Sequence, residues 1–270
     1  MDRKALILGG TGAMGSPLVP YLAEKYDVYI TSRKQHCSQN RHIHYLHGNA
    51  RDKGFLAGIL KESYDVVVDF MSWPQKEFTE CVNLLMESTR QYIFTSSCRV
   101  YAQSQEPITE ESSRLLDICR DEEYLATSEY ALAKAREEDY IMHSGYKNWT
   151  IVRPSVTYNT NRLQLGLYEI NYWLGRILRG QAIVFSKDLA ETLTPMTYGK
   201  DVAYAVSLLA GNPKSYGEIV QIATPETMKW KEILELYLDV LTDWGGVSTP
   251  DYYGSGCRGN CKDFRRQMAA

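Results

Sequence analysis

The stretch Ala5-Leu6-Ile7-Leu8-Gly9-Gly10-Thr11-Gly12-Ala13-Met14-Gly15 decides the fold. Four aliphatic residues predict a strand, and the periodic pattern over Met14–Glu24 predicts a helix, so the glycines occupy a strand-to-helix turn. Gly9, Gly12 and Gly15 follow a G-x-x-G-x-x-G spacing that lets backbone approach a pyrophosphate. The helix start behind them offers unpaired N–H groups and the positive end of a dipole. A dinucleotide site follows, with Gly9, Thr11, Gly12, Ala13, Met14 and Gly15 on its phosphate side.

Outward from this turn, short aliphatic runs alternate with segments of helical period. Strands are predicted at Ala5–Leu8, Val28–Thr31, Ile43–Leu46, Val66–Phe70, Tyr92–Thr95 and Thr150–Val152. Helices are predicted at Met14–Glu24, Lys53–Lys61, Lys76–Ser88 and Tyr124–His143, each long enough to cross back over a sheet. This order is that of an α/β, doubly wound parallel sheet of the Rossmann kind, assigned to residues 1–153. After Arg153-Pro154 the alternation loosens into a long predicted helix, Leu163–Leu178, strand-like pieces, and helices at Asp201–Leu209 and Lys229–Leu241. Residues 154–242 therefore read as a smaller C-terminal substrate lobe interleaved with the first domain. Residues 243–270, with five glycines and little periodicity, read as an atypical tail.

The 270 residues suffice for a sizeable core, and 44% apolar with 23% charged residues is the composition of a soluble globular protein. No run approaches the ~20 apolar residues that span a bilayer. With 30 basic against 33 acidic residues the net charge is −3, which gives no field for a polyanion, so nucleic acid is not an expected partner. The N-terminal apolar run stops at Gly9-Gly10, too short for a signal peptide, and a cytoplasmic location with reduced cysteines is expected. Cys257 and Cys261 form a C-x3-C pair without a second pair, and no metal is expected there. His42 and His44 share a strand face without an accompanying carboxylate or thiol, and read as ordinary strand residues.

Three further segments carry chemistry. About 20 residues beyond the glycines, an NAD-selective site presents an acid to the ribose hydroxyls; here the position holds Arg33, between Ser32 and Lys34. A guanidinium cannot accept from a hydroxyl but can clasp a 2′-phosphate, which favours NADP over NAD. Tyr130-Ala131-Leu132-Ala133-Lys134 places a phenol and an ammonium on one helix face, where the charge favours the phenolate of a group whose ordinary pKa is about 10. Tyr92-Ile93-Phe94-Thr95-Ser96-Ser97 is a strand ending in hydroxyls, at the sheet edge where such folds bind ligands.

With these segments in place the chain resembles the extended short-chain dehydrogenase/reductase superfamily, of the NAD(P)-dependent epimerase/dehydratase type, over about residues 4 to 242. Gly48-Asn49-Ala50-Arg51-Asp52 is similar to the family's Gly-Asp-x-x-Asp turn near the adenine, which implies cofactor contacts at Asn49 and Asp52. Asp65-Val66-Val67-Val68-Asp69-Phe70 resembles the strand passing the cofactor, implying Asp69 and Phe70, and Thr150-Ile151-Val152-Arg153-Pro154 resembles the strand leading to the substrate lobe, implying Pro154. Lys200-Asp201-Val202-Ala203 resembles the start of a later helix.

The resemblance implies Ser97 as the catalytic hydroxyl, Tyr130 as the acid/base, and Lys134 as its partner and a ribose contact. Asp69-Phe70 stands where the family commonly has His-Leu. What the resemblance implies is hydride transfer at a carbinol carbon of a nucleotide sugar, with a homodimer formed through Lys76–Ser88 and Tyr124–His143. The alternatives are an NADPH-dependent ketone reductase and a non-catalytic, NADP-binding regulatory or RNA-associated protein on the same fold. Trp73-Pro74 and the Tyr168, Tyr172, Trp173 group read as packing before any ligand role.

Overall fold

The computed structural model describes residues 3–160, 162–245 and 252–253; Cys257, Cys261 and most of the 243–270 tail lie outside the described residues. Strands β1 (Lys4–Leu8), β2 (Asp27–Ser32), β3 (Ile43–His47), β4 (Tyr64–Asp69), β5 (Thr89–Thr95), β6 (Trp149–Pro154) and β7 (Glu218–Ile222) form one sheet. Its order is β7-β6-β5-β4-β1-β2-β3, and every pairing is parallel. The helices are α1 (Gly15–Ala23), α2 (Lys53–Ile59), α3 (Gln75–Glu87), α4 (Tyr130–His143), α5 (Ile170–Ile177), α6 (Gly199–Leu209) and α7 (Trp230–Gly245), with single turns elsewhere.

A parallel sheet covered on both faces explains why its strands are aliphatic throughout. Ala5 and Ile7 point to a core built with Leu18 and Leu22 of α1 and Val202 and Val206 of α6. Their neighbours Leu6 and Leu8 point to the opposite core, against Leu56 of α2, Phe78 and Val82 of α3, and Ile141 of α4. The alternation of a strand thus feeds two cores at once.

By contact the chain divides into two units, one comprising residues up to Asn159 together with Thr197–Ala223, the other Thr160–Met196 together with Thr224 onward. Within the span 154–242, expected as a lobe interleaved with the first domain, residues 197–223 group with the sheet and 160–196 group with 224 onward. β7 pairs with β6 in register from Glu218 against Thr150 to Ile222 against Pro154. The segment before it is pinned by Gln91, whose buried amide donates to Thr150 Oγ1 and Ser215 Oγ, both at 2.9 Å, and accepts from Gly211 N at 2.6 Å.

Two predicted helices are shorter than expected. In place of Leu163–Leu178 only Ile170–Ile177 is helical, because Leu165 and Tyr168 exchange backbone hydrogen bonds of 2.9 Å around Gly166, whose φ of +57° is left-handed. In that unit Trp173 is buried and stacks on Tyr237 at 4.7 Å, a packing role. In place of Tyr124–His143 there is a turn at Glu122–Leu125 and then α4 from Tyr130. Thr127 Oγ1 bonds the Tyr124 carbonyl at 2.7 Å and ends the first turn. Glu129 then caps α4 by accepting from Ala131 N at 2.7 Å, which puts Tyr130 in the first helical position.

The histidines have local partners: His42 Nδ1 lies 2.7 Å from Asp27 Oδ1, and His44 stacks on Tyr29. No helix among the described residues is long and apolar enough to cross a membrane.

α4 is tied to β6 by a buried ion pair. Arg153 donates to Glu138 through Nε at 2.8 Å and Nη2 at 2.7 Å, with side chains 2% and 0% exposed. Arg153→Met leaves that carboxylate with only the longer 3.3 Å contact from Arg114. Urea unfolding is expected to show a loss of roughly 3–5 kcal/mol, with much of it recovered when Glu138→Leu is added.

Candidate active site

Each glycine of the turn has a distinct task. A Cβ on Gly15 would lie 2.6 Å from Gly10 Cα, so Gly15 permits close packing of α1 onto the turn, while one on Gly10 would lie 2.7 Å from Ile30 Cγ2, so Gly10 lets the turn sit against the side chains of β1 and β2. Gly9 has φ of +71°. A Cβ on Gly12 would meet only Gly9 O, at 3.6 Å, so the space above Gly12 is open. No side chain caps α1, whose start at Met14 leaves its first amides without a side-chain acceptor. The turn is held from behind: Asn159 Nδ2 donates to the Ala13 carbonyl at 2.8 Å, and Gly199 approaches that same oxygen.

Beside the turn is a cleft of about 340 Å³ at the C-terminal ends of β1, β2, β3 and β4. Of the expected residues, Gly9, Thr11, Ser32, Arg33, Asn49 and Phe70 line it. Arg33 is exposed and makes no hydrogen bond or ion pair among the described residues, so its guanidinium is uncommitted. Ser32 Oγ accepts from Lys34 N at 3.1 Å, and Lys34 itself is exposed outside the lining. Arg51, to which the sequence assigns no role, also lines the cleft and donates to the Ser72 carbonyl at 2.6 Å. That bond joins the loops after β3 and β4.

Three expected contacts lie elsewhere. Asp52 caps α2, accepting from Phe55 N at 2.7 Å. Pro154 is buried at the end of β6. Asp69 faces the interior, 0% exposed, and accepts from Met71 N at 2.8 Å, Trp73 Nε1 at 2.7 Å and the Tyr92 hydroxyl at 2.8 Å. Burial pushes the Asp69 carboxyl up, and these donors with the nearby Lys134 charge pull it back. Its donors Trp73 and Tyr92 show why an acid stands there: Trp73, expected as loop packing, is a buried partner.

The expected catalytic residues stand one strand over. Ser97 caps the short 3-10 turn Cys98–Val100 by accepting from Arg99 N at 3.2 Å, which leaves its own hydrogen free to donate. Tyr130 is 43% exposed, and its hydroxyl has no hydrogen-bond partner among the described residues. Arg99, a residue missed from sequence, connects the two. Its guanidinium lies 5.5 Å from the Tyr130 ring centroid and pairs with Glu129 at 2.6 Å. Lys134 is brought to the same helix face but lies inside, 4% exposed, with Nζ 2.9 Å from Glu137 Oε2 and 4.5 Å from the Phe94 ring centroid.

The turn and cleft fit a dinucleotide. Open backbone at Gly12, an uncapped helix start and an uncommitted guanidinium are the features such an anion uses. Among the described residues the buried hydroxyls of Thr95 and Ser96 at the end of β5 also have no hydrogen-bond partner.

With that geometry established, the comparisons give the class. The chain belongs to the NAD dependent epimerase/dehydratase family, whose model matches residues 5–223. A curated relative, the chloroplast stem-loop binding protein of 41 kDa b from Arabidopsis thaliana, is 24% identical over 238 residues, covering 82% of this chain. The match spans 59% of that relative's length. Among solved structures, a UDP-N-acetylglucosamine 4-epimerase from Methanobrevibacter ruminantium, in complex with UDP-N-acetylmuramic acid, superposes with a TM-score of 0.71 at 20% identity, over 96% of this chain and 87% of that one. A dTDP-glucose 4,6-dehydratase from Bacillus anthracis, in complex with NAD, has a TM-score of 0.71 at 16% identity, over 100% and 91%. At these identities the structural likeness is one of fold.

Gly12→Val tests the turn. The added side chain enters open space, so the thermal midpoint of the cofactor-free protein is expected to stay at its wild-type value. NADP and NAD are expected to lose affinity together by about 100-fold, the worth of two charge-assisted hydrogen bonds of about 1.5 kcal/mol, as measured by calorimetric titration.

Proposed function

We propose that this chain is a nucleotide-sugar epimerase or dehydratase that uses NADP and reacts at a carbinol carbon. The observation that carries the reading is the coupling of Ser97 and Tyr130 through Arg99, at the sheet edge that also holds the dinucleotide cleft. A bound nicotinamide dinucleotide supplies a carbon that accepts and returns a hydride. The chain's own residues handle the proton and the oxygen. Tyr130, acting as the phenolate, takes the proton of the substrate alcohol and becomes the phenol, and Ser97 donates to the substrate oxygen as charge develops on it. Lys134 supplies positive charge on the helix face of the phenol.

The cofactor preference rests on Arg33. Among the described residues no Asp or Glu lines the cleft to accept from ribose hydroxyls, while two guanidiniums do line it. The substrate class is supported by the two enzymes with nucleotide-sugar names that share the fold. The name of the curated relative favours a second reading, association with a structured RNA. The net charge of −3 weighs against it, because RNA affinity is dominated by phosphate neutralisation.

NADP is expected to bind at least about tenfold tighter than NAD, and Arg33→Ala to erase most of that gap; equal wild-type affinities contradict the assignment. Tyr130→Phe is expected to keep NADP affinity while turnover of UDP-N-acetylglucosamine or dTDP-glucose falls by about 10²–10⁴. With cofactor limiting, an epimerase or dehydratase converts many equivalents of sugar at constant nicotinamide absorbance, whereas a ketone reductase consumes one NADPH per product. Failure of every sugar and carbonyl tested, combined with salt-sensitive binding of a stem-loop RNA, would replace this reading with the second.

A further inference from the structure

Lys134 and Glu137 are both buried on α4, with side chains 5% and 7% exposed and Nζ 2.9 Å from Oε2. Beyond this ion contact, Nζ and Oε2 have no hydrogen-bond partner among the described residues. Such a pair is costly. Desolvating two charges takes several kcal/mol per ion, and apolar residues of similar volume in their place are often neutral or stabilising. The surrounding α4 positions Ala131, Leu132, Ala135 and Ile141 are apolar and buried, so packing alone calls for no charge here.

The other groups facing Lys134 do not hold it. Asp69 of β4 is within electrostatic reach, but its oxygens already accept from Met71, Trp73 and Tyr92. The Tyr92 hydroxyl of β5 is spent on Asp69, and Phe94 presents only its ring. The Cys81 thiol of α3, pushed up by burial, lies in the field of Asp69. On α4 itself, Glu138 is engaged by Arg153 and Arg114, and Tyr130 is one turn away. Among the described residues Glu137 is paired with this ammonium alone, and burial pushes its carboxyl up while Lys134 opposes that rise.

We propose that Glu137 is a positioning residue: its carboxylate seats the Lys134 ammonium against β5 and keeps it charged on the face it shares with Tyr130. The inference rests on the reading of Tyr130 and Lys134 as an acid/base pair, and adds to it the group that holds the lysine. Without Glu137 the buried ammonium loses the carboxylate it faces, and an uncompensated charge in the interior is costly.

The test uses the full-length chain with Glu137→Gln, which preserves shape and removes charge. In cofactor-free protein labelled with ¹⁵N-lysine, the Lys134 side-chain resonance is assigned by its loss in Lys134→Met. It is expected to move in Glu137→Gln from its wild-type position at the same pH, because the carboxylate 2.9 Å away has lost its charge. With NADP and UDP-N-acetylglucosamine or dTDP-glucose, kcat is expected to fall by about tenfold or more while KM changes little, and the alkaline limb of kcat to move at least about one pH unit lower. Glu137→Asp, which keeps the charge, is expected to restore the pH profile, and carries the same test if the Gln variant does not fold. The double variant Lys134→Met/Glu137→Leu is expected to fold with an undiminished thermal midpoint and no turnover.

An unchanged lysine resonance in Glu137→Gln overturns the inference whatever the enzyme does. A changed resonance with wild-type kcat and pH profile overturns it as well, leaving a structural pair. Wild-type turnover in Tyr130→Phe marks the failure of the acid/base reading itself, and the inference falls with it.

Discussion

The contact of α1 with the turn after β1 is the constraint from which the architecture follows. Gly15 and Gly10 come so close that a single added carbon would sit 2.6 Å from backbone. This seats α1 on the sheet, commits Leu18 and Leu22 to the core shared with Ala5 and Ile7, and leaves Gly12 facing open space. The same packing that begins the fold therefore creates its anion-binding edge. Gly199 and Asn159 close in on the Ala13 carbonyl from the other side, so a segment far along the chain fixes the shape of the first turn.

At the far side of the cleft the structure relies on charge in the interior. α4 carries Lys134, Glu137 and Glu138 on buried positions, and β6 answers with Arg153. The Glu138–Arg153 pair has fork geometry and three-way satisfaction through Arg114, as a structural ion pair needs. The Lys134–Glu137 pair lacks that completeness. Two adjacent carboxylates on one helix thus face different cations, Glu138 the guanidinium of Arg153 and Glu137 the ammonium of Lys134.

How much of this was legible in sequence depends on whether the cause is local. The glycine turn, the six aliphatic strands and the Tyr-x-x-x-Lys face are local patterns, and they appear near the expected positions. β7 was missed because Glu218–Ile222 becomes a strand through pairing with β6 and through the Gln91 anchor, both long-range. The break before Tyr130 was overlooked because Thr127 and Glu129 compete with the backbone over a few atoms. Asp69 and Asp52 were assigned to the cleft by position in a motif, yet one is drawn inward by Trp73 and Tyr92 and the other caps α2. Arg99 carried no periodic or motif signal; only its guanidinium over Tyr130 reveals it.

The central claim is that the cleft and the Ser97–Tyr130 edge form one hydride-transfer site. Its most direct measurement follows isotope: a nucleotide sugar deuterated at the reacting carbinol carbon is mixed with the NADP-loaded protein, and the nicotinamide is examined by mass spectrometry and NMR. The account predicts deuterium at nicotinamide C4, on one face of the ring. Deuterium that stays on the sugar carbon, or is lost to solvent while the nicotinamide remains unlabelled, would contradict it.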